Sequence, residues 1–466
     1  MNPKKDDEIK MLLSTINKLK SEIFGAHLEE KETSILYKDL DNQEHLLVEK
    51  MRLFSENQCT DTIYRWNDVK SALSSHEYAI EFISYVGFSN DDTETKELKY
   101  GALILLPNIE APIFVELCTF KELHNIILNA LIEQEIGINN LYKKNSPLYN
   151  LLWRKIEPYM INAKTIYYSP ILDLQSINMG FILCPNGIYL NEKYNLQCVS
   201  STANVCKRDC SLEIVDATIL GGVEYEKTIG EKDNKPSFRS LILEERTDST
   251  RGSWGNLPAS SQEVDSVNII LQQNGCDTKI YKKSEANESN FRKLDGLSTS
   301  VVHIATHAFY LVGFDKYTDY FNQLTPYSCK DESMLFSGLL LAKANTTLNS
   351  INGENVMNDG VITSEEISLL DLTQTQLVVL AACETALGVT NEGLGGLLKA
   401  FKLAGVKHIM ASLWKVPDES TAMLMSCFYK FLMSGEGLHS ALLKAQRETA
   451  KRYPDPYYWA SFIIID

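Results

Sequence analysis

The chain has 466 residues, is 44% hydrophobic and carries a formal net charge of -16. That apolar share can bury a large core over two or three domains. The acidic balance excludes nucleic acid or an anionic membrane as the main partner, because phosphates are repelled, although a basic peptide remains compatible.

The first residues, Met1-Asn2-Pro3-Lys4-Lys5-Asp6-Asp7, lead into a polar amphipathic stretch and do not read as a secretory leader. No apolar run approaches the roughly 20 residues that span a bilayer. The ten cysteines are scattered, without a C-x-x-C pair or a Cys/His cluster at zinc spacing. Together these features predict a cytoplasmic chain with reduced thiols and no metal or other cofactor.

From Asp6 to Phe54, Leu12, Leu13, Ile16, Leu19 and Ile23 recur at helical spacing, and a second such stretch runs from Ile35 to Leu53. These helices present either solvated faces or a docking surface for a partner. From Asp61 the pattern changes to three short strands, over 79–85, 100–105 and 113–117, with a polar hairpin tip at 90–97. Helical segments follow at 120–135 and 148–160. Strands return at 165–168, 181–184, 187–190 and 212–220.

The polar stretch 224–258 reads as a long mobile loop, with Arg246 and Arg251 as candidate self-cleavage sites. Strands then alternate with helices: helix 262–273, strand 278–281, helix 288–294, strand 300–305, then, after another insertion, the segment 338–342, strand 376–382, helix 394–403, strand 408–413, and helices 421–433 and 437–451. That alternation predicts an α/β fold, a mostly parallel sheet covered on both faces. The expected domains are N-terminal helices over 1–60, an α+β region over 61–163 and an α/β domain over 164–466.

Two of these strands end on chemistry. Leu377-Val378-Val379-Leu380-Ala381-Ala382 runs into Cys383, and Ser300-Val301-Val302-His303-Ile304-Ala305-Thr306 runs into His307. A thiol and an imidazole on the tips of two strands of one sheet make a nucleophile and its base. The backbone N–H of Cys383 is then a natural oxyanion donor. His307 is preferred as the base because the strand end exposes it. His303, deeper among apolar neighbours, reads as structural, and His408 is a weaker alternative.

These motifs, together with Glu392-Gly393-Leu394-x-Gly396-Leu397, Ala404-Gly405, Ser412-Leu413-Trp414-x-Val416-x-Asp418 and Pro456-Tyr457-Tyr458-Trp459-Ala460-x-Phe462, resemble the CHAT peptidase family. That family is caspase-like and related to separase, caspases and gingipains. The likeness covers roughly 165–466. It implies a caspase-hemoglobinase sheet and a His307/Cys383 dyad performing limited, regulated cleavage of a protein substrate. It also implies oxyanion donors at the N–H groups of Ala308 and Cys383. The family usually has glycine at the positions of Ala308 and Ala386, and alanine resists φ > 0. Substrate contacts are expected at Glu384, Ser412, Leu413, Trp414 and Asp418, where an edge strand pairs with the peptide. Asp418 reads equally as a pocket for a basic side chain or as a helix cap.

Family members are often silent until a partner arrives, here through the N-terminal helices. Some serve bacterial defence or cell death, for example by cutting a gasdermin-like protein. The alternative is a catalytically silent scaffold that binds peptides. Nucleotide binding lacks the G-x-G-x-x-G spacing.

Overall fold

The computed structural model describes residues 64–88, 96–207, 212–225, 254–297, 299–310, 334, 337–347, 360–381 and 393–466, with scattered helical positions between 11 and 46. Contacts divide the chain into two units. One comprises Met1–Ile63, Ile229–Gly252 and Thr347–Asn355, so the expected N-terminal helices, Arg246 and Arg251 fall largely or wholly outside the described residues. The other comprises Tyr64–Thr228, Ser253–Thr346 and Val356–Asp466 and carries the fold that follows.

Its strands are β1 (Glu77–Phe88), β2 (Lys96–Leu105), β3 (Ile113–Thr119), β4 (Thr165–Ser169), β5 (Asn195–Cys198), β6 (Asp216–Val223), β7 (Asp277–Lys283), β8 (Val301–Ala305), β9 (Ala308–Tyr310), β10 (Ser337–Leu340), β11 (Val361–Thr363), β12 (Leu377–Leu380), β13 (His408–Ser412) and β14 (Phe462–Ile465). Eleven form one sheet in the order β3-β2-β1-β4-β5-β14-β13-β12-β8-β6-β7, and β11-β10-β9 form a second. In the large sheet only β3/β2, β2/β1 and β14/β13 pair antiparallel. The expected α/β fold with a mostly parallel sheet is what the chain adopts. Every residue of β8, β12 and β14 is buried, so both faces of the sheet centre are covered.

The expected boundary at 163/164 falls inside this sheet. β1 runs parallel to β4, with Glu77 opposite Thr165 and Ile80 opposite Tyr168. The strands at 77–119 therefore extend the sheet and do not make a domain of their own. The expected strands at 181–184 and 187–190 are replaced by a 3-10 turn, Met179–Phe181, a single bridge between Leu183 and Tyr189, and a short helix, Leu190–Lys193. Cys184-Pro185-Asn186-Gly187 closes too tightly for a ladder: Gly187 takes φ +84° and its N–H returns to the Cys184 carbonyl at 2.9 Å. The expected helix at 148–160 is a π-turn, Tyr149–Trp153, followed by a 3-10 turn, Glu157–Tyr159, with Pro158 inside it. The strands β5, β9, β11 and β14 were not anticipated as strands. Each is short, and short apolar runs carry little periodicity.

Ile80 is fully buried at the β1/β4 junction. Ile80→Ala should lower stability by about 2–5 kcal/mol. Because β1 belongs to the large sheet, tryptophan emission and far-UV dichroism should shift together in urea titrations. A separate early transition confined to part of the signal would show that the 77–142 region melts on its own.

Candidate active site at the carboxyl end of the sheet

The first strand of the doubly wound half is β6. The chain moves outward from it to β7, then crosses back past β6 to β8, and continues away through β12 and β13. The direction of winding thus reverses between β6 and β8, and parallel sheets open a crevice beyond the strand ends at such a point. Thr306 and His307 follow β8 at that end, and Tyr225 follows β6. On the other flank β12 runs parallel to β8, with Leu380 opposite Ile304 and the Ala381 N–H donating to the Ile304 carbonyl at 2.9 Å. Cys383, two residues beyond Ala381, lies outside the described residues, as do Glu384 and Ala386.

His307 is held from several sides. Its backbone N–H donates to the Tyr225 hydroxyl at 3.1 Å, and its carbonyl accepts from the Leu340 N–H at 2.9 Å. The Thr306 hydroxyl donates to the Leu340 carbonyl, so the Tyr225 hydroxyl donates to Thr306 Oγ1, 2.7 Å away. The result is a directed chain of hydrogen bonds in which each member polarises the next. The ring lies against Tyr225 and Trp254, with centroids at 5.2 and 5.0 Å.

His307 Nε2 lies 2.8 Å from the Gly255 carbonyl oxygen. A carbonyl only accepts, so Nε2 carries the proton, and the neutral ring keeps its lone pair on Nδ1. The geometry fixes the tautomer and makes Nδ1 the basic nitrogen.

Ala308 opens β9, which is an edge strand of the small sheet. The Leu340 N–H bonds the carbonyl of His307, and antiparallel ladders alternate, so the Ala308 N–H turns away from β10. Ala308 is not among the residues of positive φ, so the glycine-to-alanine departure at this position carries no backbone strain.

His303, four residues earlier, is fully buried and faces other partners. Its Nε2 is 3.0 Å from Glu263 Oε1 on the helix Pro258–Gln273, and its Nδ1 is 3.2 Å from the Tyr429 hydroxyl on the helix Asp418–Met433. Burial pushes the Glu263 carboxyl up, against the pull of His303, and Asp418 adds to the rise. His408 is occupied by Asp466 at 2.6 Å.

The expected substrate segment is placed differently from the expectation. β13 is interior, paired with β12 and with β14, so it offers no free edge to a peptide. Ser412 and Leu413 are buried. Trp414 is 2% exposed, packs against Tyr142 with centroids 5.6 Å apart and donates its indole N–H to the Tyr457 carbonyl at 2.9 Å. It is a core residue, because its one polar atom is already used inside. Asp418 is the first helical residue, one past the N-cap Pro417, where a carboxylate complements the helix dipole without capping it.

Sequence reasoning passed over Tyr225, Trp254 and Gly255, which fall inside the stretch 224–258 assigned to a mobile loop. Residues 226–253 lie outside the described set, but Tyr225 is 1% and Trp254 8% exposed. Two isolated aromatics bracketing a polar stretch were the available signal, since such side chains mark where a chain rejoins its core.

The family model described as CHAT domain matches residues 143–466. Tetratricopeptide repeat protein 28 of Mus musculus is 25% identical over 287 residues, covering 59% of this chain and 11% of that protein. Its Homo sapiens counterpart is 24% identical over 293 residues with the same coverage. The chain thus spans about a tenth of the length of these curated relatives. Among solved structures, the Saccharomyces cerevisiae separase–securin complex matches 86% of this chain and 30% of that one at 10% identity and TM-score 0.47. The Arg-specific cysteine proteinase gingipain R matches 75% and 67% at 10% identity and TM-score 0.37.

Two outcomes follow from the His303 cluster. His303→Ala strands the Glu263 carboxyl and the Tyr429 hydroxyl in the core and should destabilise by about 3 kcal/mol, read as a lower urea midpoint. Glu263 also has a raised folded-state pKa. Its contribution is therefore fully present below the ordinary glutamate value near 4.3 and is lost as pH rises through the folded value. Glu263→Gln should remove that decline, so wild type should lose stability relative to the variant as pH rises above the ordinary glutamate value. Parallel stability curves across that range would refute the assignment.

Proposed function

The chain belongs to the CHAT domain family, and on that premise we propose that it is a cysteine endopeptidase acting through His307 and Cys383. The observation that carries the reading is the fixed tautomer: Gly255 holds the ring proton on Nε2, which leaves Nδ1 to take a proton. The strand that leads to His307 also lies parallel and adjacent to the strand that leads toward Cys383.

His307 Nδ1 accepts the thiol proton, and the thiolate attacks the substrate carbonyl. Charge develops on the carbonyl oxygen, which is taken by the N–H groups of Cys383 and Ala308. His307 then passes the proton to the leaving amine, and water releases the acyl group from sulfur by the same route in reverse. Tyr225 and Thr306 take no proton in this scheme and keep the base in place.

Regulated cleavage of a protein substrate such as a gasdermin-like protein, activation by a partner protein, a cytoplasmic setting and a role in defence extend this reading. They rest on the family resemblance alone.

The test is incubation of wild type, Cys383→Ala and His307→Ala with a peptide library, read by mass spectrometry. Cys383→Ala should abolish cleavage with a melting temperature near wild type, and His307→Ala should slow it by roughly 100- to 10,000-fold while lowering the melting temperature, because it removes a buried ring that packs on Tyr225 and Trp254 and bonds the Gly255 carbonyl. Cleavage at the wild-type rate by Cys383→Ala would sink the proposal. So would wild-type inactivity combined with Cys383 alkylation no faster than that of the other thiols, which would move the weight to a silent scaffold.

A further inference from the structure

Gly255 supplies the carbonyl that fixes His307, yet little in its own residue fixes that carbonyl. It lies outside any helix or strand, and a Cβ built on it would meet nothing within 4 Å. Glycine also has the widest backbone freedom of any residue. The orientation of this carbonyl must therefore be imposed from outside.

We propose that Asn345 is the positioning residue that imposes it. This inference rests on the peptidase reading above. Asn345 is 3% exposed. Its Oδ1 accepts the Trp254 backbone N–H at 2.8 Å, and its Nδ2 donates to the Trp254 carbonyl at 3.0 Å. The donor and acceptor of Trp254 settle which amide atom is which. One side chain thus grips both main-chain groups of the residue that precedes Gly255, as a neighbouring strand would. Asn345 reaches the base by a second route, because its own N–H donates to the Tyr225 carbonyl at 3.2 Å. Tyr225 in turn receives the His307 N–H. In the proposed mechanism Asn345 meets no reacting atom. It acts through Gly255 on the imidazole ring and through Tyr225 on the backbone.

The fit is chemical as well as geometric. Only a carboxamide offers one acceptor and one donor in a fixed fork at this reach. Leucine has the same branched skeleton of four heavy atoms, is bulkier and offers neither. Aspartate keeps the acceptor for the Trp254 N–H but sets a second oxygen against the Trp254 carbonyl.

The experiment uses full-length protein labelled with 15N-histidine, with the His307 signals assigned by their absence in His307→Ala. Wild type should show a single Nε2–H tautomer at His307. Asn345→Leu and Asn345→Asp should show exchange between the two tautomers at neutral pH. Alkylation of Cys383 by iodoacetamide should slow by roughly 10-fold in the same variants, with melting temperatures within a few degrees of wild type. A folded Asn345→Asp protein with an unchanged His307 signature and an unchanged alkylation rate overturns the inference. Failure of both variants to fold also overturns it, by making Asn345 a residue of folding alone. If wild-type Cys383 alkylates no faster than ordinary thiols, the peptidase reading fails, and the tautomer comparison still decides the role of Asn345.

Discussion

A single carbonyl decides which nitrogen of His307 can act as a base. Gly255 accepts the proton of Nε2 at 2.8 Å, and from that bond follow the tautomer, the direction of the lone pair and the division of labour around the ring. The sheet serves that bond. Reversal of winding between β6 and β8 opens the place where His307 stands. Tyr225 and Thr306 tie the chains leaving the two strands together just beyond their ends. Remove the carbonyl, and the imidazole is free to carry its proton on either side.

The contrast with His303 sharpens the point. Both histidines belong to one stretch of chain, four residues apart, and both are mostly enclosed. What differs is the acceptor. His303 meets the carboxylate of Glu263, a group that can share a proton or a charge with it. His307 meets a peptide carbonyl, which orients a ring without contributing a net charge. The first arrangement suits a structural link between helices. The second fixes which nitrogen carries the proton and leaves the other nitrogen of the neutral ring with its lone pair.

Much of this was legible in the sequence. The apolar runs ending on His307 and Cys383 were sharp because both faces of a central parallel strand are buried, so nearly every position is apolar. The short strands β5, β9, β11 and β14 were not, because three to four residues cannot show a period. The 163/164 boundary was drawn where strands return after helical segments, and the pairing of β1 with β4 across it leaves no mark in the residue pattern. The supports of the His307 ring were the least visible. Gly255 and Tyr225 stand 52 and 82 residues from His307, and they act through a main-chain carbonyl and a single hydroxyl. No residue pattern advertises a carbonyl. The core role of Trp414 was hidden for a related reason: the partner of its indole N–H is the backbone of Tyr457, 43 residues away.

The family match begins at residue 143, yet the sheet begins with β1 at Glu77. The portion that looks separable in a comparison is therefore not separable in the molecule. A fragment trimmed to the matched region keeps β4 and discards β1, the strand that covers its outer side. Ile166 and Tyr168, now buried, would then flank a bare ladder of N–H and C=O groups, the template on which chains join edge to edge. Such a fragment would be prone to self-association, and its silence in an assay would speak of a missing neighbour strand before it spoke of a missing activity.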